Sequence, residues 1–458
     1  MSFPPYPRDK PSGLEWLGDV PEHWELKPLK AVGYFKAGAG FPDVDQGQDG
    51  EELTFHKVNA LGKAGPDDFL LPSDNTVSVV TATRLRAYVF PPSSIVFAKI
   101  GAALLLGRIR RLREPACMDN NMMGFIPQRG CDEGFVRYVF NQVRFDFIAN
   151  PGTVPSLNES QIASLRFAFP ALSEQNSINR FLDRETAKID ALVDEQKRLI
   201  ELLKEKRKAV ITQAVTKGLN PNAPMKHSGI EWLGDVPSHW EVKPIRSVAN
   251  LQSGHTPSRS RPDWWANCTI PWFGLADIWQ VREEGRTEIF ETNEKVSELG
   301  LANSSARLLP KGTVMLSRTA SVGFAAIMGV DMATTQDFAN WVCGSRLNNH
   351  FLLWTLRAMK PEFSRMMMGS THNTIYMPDI AAFRVALPPM HEQLEVCNYL
   401  NTETTLIDDL LSEVTRSLGL LAERRSALIS AAVTGKIDVR GVEIVVPSGA
   451  RTVQEMLS

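Results

Sequence analysis

Over one stretch, from about Leu172 to Lys217, apolar and polar positions follow a heptad. Ile189, Leu192, Leu199, Leu203 and Val210 recur at alternating three- and four-residue steps, Gln196 and Lys206 fill two seam positions, and charges occupy the other faces. The pattern predicts a helix roughly 70 Å long at 1.5 Å per residue. That is more than one compact domain needs. Ser173 is the expected N-cap and Gly218 the expected left-handed stop.

The stretch recurs. Glu174-Gln175, Leu182, Glu185-Thr186, Ile189-Asp190, Leu203, Val210 and Val215-Thr216 return, shifted by 218 residues, as Glu392-Gln393, Leu400, Glu403-Thr404, Ile407-Asp408, Leu421, Leu428 and Val433-Thr434. Two such seams need partners, and each is the nearest partner for the other. A second repeat is longer still: Ser12 to Pro28 returns almost intact as Ser228 to Pro244, shifted by 216 residues. Its tryptophans, Trp16, Trp24, Trp232 and Trp240, read as packing anchors near the C-terminal ends of the long helices.

Between the repeats the pattern shortens. Ser94 to Gly101 and Met122 to Pro127 are apolar runs bounded by Gly, Pro and Asn, which predicts strands, while Phe135 to Ile148 has helical spacing. Gly312 to Gly323 and Phe351 to Leu356 stand at the corresponding places in the second half. Few other residues match between these two mixed globules. The expected divisions are a Pro-rich, poorly ordered tail over 1–11, the first Trp motif and globule over 12–169 and a long helix over 170–218. A linker, second motif and second globule follow over 219–387, then a second long helix over 388–436 and a loose tail over 437–458.

Composition narrows the chemistry. The 458 residues carry a net charge of −2, which counts mildly against a nucleic-acid binder, although patches matter more than the total. Five scattered cysteines without a Cys-x-x-Cys pair, and eight histidines without metal spacing, fit a reducing cytoplasm and no zinc site. The N-terminus shows no apolar h-region and no run approaches eighteen apolar residues, so neither secretion nor membrane spanning is expected, and no phosphate-binding Gly-x-x-x-x-Gly-Lys loop is present. Asp-Pro-Pro-Tyr and Asn-Pro-Pro-Tyr are absent too. Pro66-Asp67 and Pro262-Asp263 would begin a nuclease carboxylate set, but neither is followed by an acidic-x-Lys within its globule. The chain is therefore expected to bind no cofactor or metal and to catalyse nothing.

Constant helices with divergent globules suit a pseudo-two-fold molecule with antiparallel helices, holding two different readers for a bipartite, asymmetric target such as duplex DNA. The chain resembles the specificity subunit of type I restriction–modification enzymes. The resemblance rests on Gly229 to Pro237 with His239-Trp240, Pro388 to Gln393, and Arg425 to Lys436. It rests also on Ser253-Gly254-His255-Thr256-Pro257 and Thr335-Gln336-Asp337-Phe338 in the second globule; Lys36 to Pro42 departs from that pattern in the first. The resemblance implies an α/β (α+β) fold: two mixed α/β target-recognition globules separated by two long helices packed as an antiparallel coiled coil. It implies a cytoplasmic, non-catalytic subunit whose partners are double-stranded DNA, two copies of a methyltransferase (modification) subunit and, through the complex, restriction subunits. A coiled-coil adaptor with protein-binding globules and an unrecognised endonuclease are the competing readings.

The expected DNA-reading residues are Lys36, Arg84, Arg86, Lys99, Arg108 and Arg110 in the first globule, with Arg111 and Arg113 beside them. In the second they are Arg259, Arg261, Arg318, Gln336 and Asn340. Arginine pairs bidentately with guanine, amides read adenine edges, and lysine meets phosphate; a solvated surface cation is the bland alternative for each. Ser258-Arg259-Ser260-Arg261, beside Trp264-Trp265, is the preferred loop. Ile200, Leu202, Ile211, Leu411, Leu420 and Ile429 lie off the predicted seam and are expected to dock partner subunits.

Overall fold

The structure is a computed structural model and describes residues 3–63, 68–367 and 373–441. The tail expected to be loose lies, from residue 442 on, outside the described residues. The chain divides into two units, one of Met1–Glu195 with Ser417–Ser458, the other of Gln196–Arg416. The long helices run from Leu172 to Lys217 and from Met390 to Val433, so each contributes to both units. Ser173 lies inside the first helical turn rather than capping it. Gly218 takes φ of 70° and Gly435 of 73°, the left-handed conformation that ends each helix.

In the first unit the central sheet has the order Gly33–Ala37, Met122–Pro127, Ile95–Ala98, Arg110–Arg111, all antiparallel. A smaller sheet sets Leu53–His56 parallel to Ala116–Met118. In the second unit Ala249–Ser253, Phe338–Cys343 and Val314–Ser317 repeat that order and sense, and Ile270–Phe273 lies parallel to Ala333–Thr334. The central strands Ile95–Ala98 and Val314–Ser317 are buried at every position. Both faces are covered, so the sequence reads as a continuous apolar run without alternation. Globules with few matching residues thus share one topology. The helix expected over Phe135 to Ile148 is two, Glu133–Phe140 and Phe145–Ile148.

Each globule opens and closes through one antiparallel ribbon, Glu25–Pro28 with Arg166–Phe169 in the first unit and Glu241–Pro244 with Arg384–Leu387 in the second. The Trp motif lies directly before this ribbon and clamps two helix ends. In the first unit Trp24 is fully buried and donates its Nε1–H to Glu174 Oε1 at 3.1 Å, in the first turn of the first helix. The same ring reaches Gly435 at the end of the second helix. In the second unit Trp240 bonds Glu392 at 2.9 Å and touches Gly218. The motif therefore binds the start of one helix as well as the end of the other. Truncating either buried tryptophan to alanine costs about 3–5 kcal/mol.

The N-terminal segment expected to be poorly ordered is packed. Tyr6 is buried and donates to Glu174 at 2.7 Å, Phe3 meets Phe181 edge to face, and Asp9–Pro11 pairs with Asp19–Pro21.

Within each unit the helices run antiparallel: in the first, Trp24 joins Glu174 to Gly435 while Asp190 meets Arg425, and in the second, Trp240 joins Glu392 to Gly218 while Asp408 meets Arg207. The seam is not quite the predicted one. Ile189 and Leu203 are buried as expected, but Leu192 and Leu199 are exposed, and Val193, Ile200 and Arg207 turn inward instead. Ile407, Leu411 and Val414 follow the same register on the second helix. Ile189, Gln196, Leu203 and Val210 are common to both registers, so spacing alone does not separate them. Charge pairing does: an inward Arg207 meets Asp408, whereas Lys206 has no carboxylate partner among the described residues. Ile200 and Leu411 are consequently seam residues. Ile211 and Ile429 are buried against the globule of their own unit. None of these four presents a free docking face. Leu202 and Leu420, 53% and 55% exposed, do.

Candidate nucleic-acid interface

In the second unit, the loop after Ala249–Ser253 crosses the loop before Phe338–Cys343 at van der Waals contact. A Cβ on Gly254 would stand 2.1 Å from the Thr335 carbonyl oxygen, so only glycine permits the crossing. His255 donates its N–H to Thr334 O at 3.0 Å. Thr256 Oγ1 donates to Gln336 Oε1 at 2.7 Å, which fixes the exposed amide by its oxygen and leaves the NH2 end to donate outward. Arg318 follows the central strand directly, and its guanidinium Nε–H donates to Gln336 O at 2.9 Å. Its backbone bonds both Asp337 O and the Ile375 N–H at 2.9 Å. Thr256, Gln336 and Arg318 thus form one polar cluster at the end of the central sheet.

The first unit builds the same crossing. A Cβ on Gly38 would stand 2.0 Å from Asp119 O. Ala39 donates to Met118 O at 2.9 Å, and Lys99 bonds Asn121 O and the Leu157 N–H at 2.9 Å. Every backbone bond that places Arg318 has its counterpart at Lys99, so the two candidates occupy one position in two globules. Asn120, exposed at the loop tip, corresponds to Gln336. Gly40 stands where Thr256 does, with nothing within 4 Å. The sequence reading missed Asn120, although the shift of 216 that relates the Trp motifs carries it onto Gln336. The Lys99–Arg318 match needs a shift of 219, because the second globule has three residues more than the first ahead of this position and three fewer between it and Gln336.

The remaining candidates separate. Lys36 is exposed, 5.9 Å above the Tyr88 ring, whose hydroxyl meets that of Tyr34 at 3.0 Å. Burial, then the bond to Tyr34, pushes Tyr88 up to about 12. Arg86 and Arg108 are exposed, and Arg84 pairs with Asp45 at 2.5 Å. Arg110 is a structural cation: it is half-buried, 3.8 Å from Asp68, and donates to Ile109 O at 2.7 Å. Arg111 and Arg113 both stack on Phe69, at 4.1 and 4.6 Å.

Arg259 is exposed, lies 3.8 Å over the Trp265 ring and pairs with Glu294. Arg261 pairs bidentately with Asp263 at 3.2 and 3.0 Å, so this carboxylate is engaged rather than part of a metal set. Pro66-Asp67 lies outside the described residues. Asn340 is a correction: it is fully buried and its Nδ2 donates to Thr334 Oγ1 at 2.9 Å. It supports the Gly254 crossing from beneath and faces no solvent. Among the described residues no group of three His, Cys, Asp or Glu stands where a metal ion could be held, and no helix is long and apolar enough to cross a membrane.

Comparison with known proteins agrees with this geometry. The family model described as type I restriction modification DNA specificity domain matches twice, over residues 21–202 and 237–416. A putative type I restriction enzyme MjaX specificity subunit of Methanocaldococcus jannaschii is 20% identical over 436 residues, 93% of this chain and 96% of its own. The EcoprrI specificity subunit of Escherichia coli is 32% identical over 109 residues, 24% of this chain and 23% of its own. Among solved structures, a chain from a type I R-M system superposes with a TM-score of 0.62 at 16% identity, covering 90% of this chain and 98% of that one. The HsdS subunit of Thermoanaerobacter tengcongensis gives 0.54 at 15% identity, covering 91% and 98%. With two matched repeats, two equivalent loop crossings and antiparallel long helices, the chain belongs to the type I restriction–modification DNA specificity family, as a non-catalytic subunit for recognition of DNA.

Proposed function

We propose that each globule reads one half of a bipartite, asymmetric duplex target through its loop crossing. One observation carries this reading: the backbone frame of the crossing is the same in both units while its outward side chains differ. Lys99, Asn120 and Gly40 stand in the first where Arg318, Gln336 and Thr256 stand in the second. A shared frame with divergent donors is what two readers of unlike half-sites require. Lys36, Arg84, Arg86, Arg108, Arg259 and Arg261 are proposed to contact the flanking backbone. The reading needs no cofactor.

Specificity subunits of type I systems bind DNA and work in complexes with methylase and restriction subunits. The finer proposal is that this chain, in the cytoplasm, docks two methyltransferase copies through Leu202 and Leu420, which the shift of 218 places at equivalent positions on the two long helices. Module exchange tests the central claim. Replacing residues 31–165 with a related globule, between the strands of its closing ribbon, is expected to change one half of the methylated sequence and leave the other unchanged. A change in both halves, read by single-molecule methylation mapping, overturns it. Filter binding of specific duplex should also weaken steeply with salt.

A further inference from the structure

The two units are built alike, so a feature present in only one is not part of the shared frame. One such feature is the set of cations lining a cleft of about 600 Å³ in the second unit, between the first long helix and its globule. Lys204, Arg207 and Lys208 line it from the helix; Arg282, Arg357 and Lys360 line it from the globule. No carboxylate is among its lining residues. Outside it, Lys204 meets Glu201 at 2.8 Å, Arg207 meets Asp408 at 3.0 Å and Arg282 meets Glu283 at 2.7 Å. Lys208, Arg357 and Lys360 make no ion pair among the described residues.

The opposite character fills the rest of the wall. Ile211, Leu411, Val281, Phe324 and Trp354 are apolar, with Arg357 5.1 Å over the Trp354 ring and Lys360 4.8 Å over Phe324. Two donors are left over. Trp354 is 3% exposed and its Nε1–H is buried without a partner, as is Arg207 Nε. A buried unpaired donor is costly and asks for an acceptor. Burial, and then Arg207, push Arg357 down to about 10, against a smaller opposing pull from Asp408.

The first unit has neither this cation set nor the unpartnered ring donor. Ala422, Ser426 and Asn141 stand at the positions of Lys204, Lys208 and Arg357. Tyr138, at the position of Trp354, donates to Asp183 at 2.8 Å, and Arg137 is paired with the same carboxylate at 2.7 Å. There the ring donor is satisfied within the chain, while Arg425 Nε and Arg137 Nε, like Arg207 Nε, are buried without a partner, so the orphan that sets the second unit apart is Trp354 Nε1–H.

We propose that the cleft of the second unit binds an organic polyphosphate of nucleotide size, one per chain, as an effector and not as part of DNA reading. The volume lies within the range of roughly 300–1,000 Å³ usual for small-molecule sites. Converging cations suit the phosphates, and the Trp354–Phe324 wall suits a flat apolar body. The cations alone would also take a bare inorganic polyphosphate; the apolar wall is what favours an organic one.

Calorimetric titration of the full-length chain with ATP, and separately with inorganic tripolyphosphate, tests this. The expected result is one ATP per chain, tripolyphosphate at least fivefold weaker, and ATP at least tenfold weaker on Lys208→Gln and on Arg357→Ala. Arg425→Gln, the equivalent of Arg207 in the first unit, should leave binding unchanged. Lys208 is exposed, so its variant remains informative if Arg357→Ala fails to fold by circular dichroism. No ATP heat, equal affinity for tripolyphosphate, loss with Arg425→Gln, or displacement of ATP by an added duplex would each overturn the proposal, the last by assigning the cleft to the path of DNA.

Discussion

Arg207 Nη2 lies 3.0 Å from Asp408 Oδ2, and the shift of 218 that relates the two halves carries this pair onto Asp190 and Arg425, at 3.4 Å. Each pair ties the two long helices inside its own unit, and each arginine takes an inward-turned seam position. The carboxylates are 49% and 40% exposed, so solvent screens the attraction. A double-mutant cycle on Arg207→Ala and Asp408→Ala, read by urea unfolding, should give a coupling of about 0.5 kcal/mol, within the usual range for partly exposed pairs. A coupling near zero would mean that apolar packing alone sets the register.

Ile211 and Leu202 lie nine positions apart on one helix, with opposite expected behaviour. Ile211 is 8% exposed and packed on its globule, whereas Leu202 is 53% exposed. Ile211→Asp buries an unpaired charge and should cost several kcal/mol and unfold the unit. Leu202→Asp and Leu420→Asp should stay within about 0.5 kcal/mol of the parent. Light scattering of the co-expressed complex should show one methyltransferase copy lost with either change and two with both. An unchanged mass in the folded double variant excludes this face.

His56 gives the first globule a pH limit. It is 4% exposed with Nδ1 unpartnered, and burial pushes its pKa down from 6.5 to about 4. Below pH 6.5 the unfolded chain takes up a proton that the folded chain refuses. Stability is therefore full above about 6.5 and falls as pH drops towards 4, by up to roughly 3 kcal/mol. His56→Gln should remove that slope, seen as the difference between parent and variant in urea midpoints over this window. Because the His56 carbonyl accepts the Asp119 N–H at 3.0 Å, specific DNA binding should weaken over the same range.

Glu174 joins Tyr6, His23 and Trp24, and Glu392 joins His239 and Trp240. Trp240→Phe keeps the apolar bulk and removes one donor from a partly buried carboxylate, so a loss of about 1–3 kcal/mol is expected. Glu392→Gln, made together with it, should cost less than the sum of the two single changes. Additivity would place the tryptophan's contribution wholly in packing.

Much of this architecture was legible because it is repetitive. The heptads, the Trp motif and the two shifts announced a doubled chain with long helices, and Gly218 marked a helix end through its own backbone freedom. The seam register was only half legible, since Leu192 and Val193 both satisfy the spacing and Arg207 turns inward only with Asp408 opposite. The Lys99–Arg318 equivalence was hidden by three added residues, and Asn340 read as a reader because an exposed and a buried amide look alike in one dimension.

What the sequence determined by itself was periodic or local: long helices, their stops, the constant Trp motif and the division into two divergent globules. Tertiary structure alone decided which cations face outward, which leucines stay free, and where donors lack partners. Those depend on contacts between residues far apart in the chain, such as Gly254 with Thr335 and Trp24 with Glu174, whose burial and charge compensation no local pattern encodes.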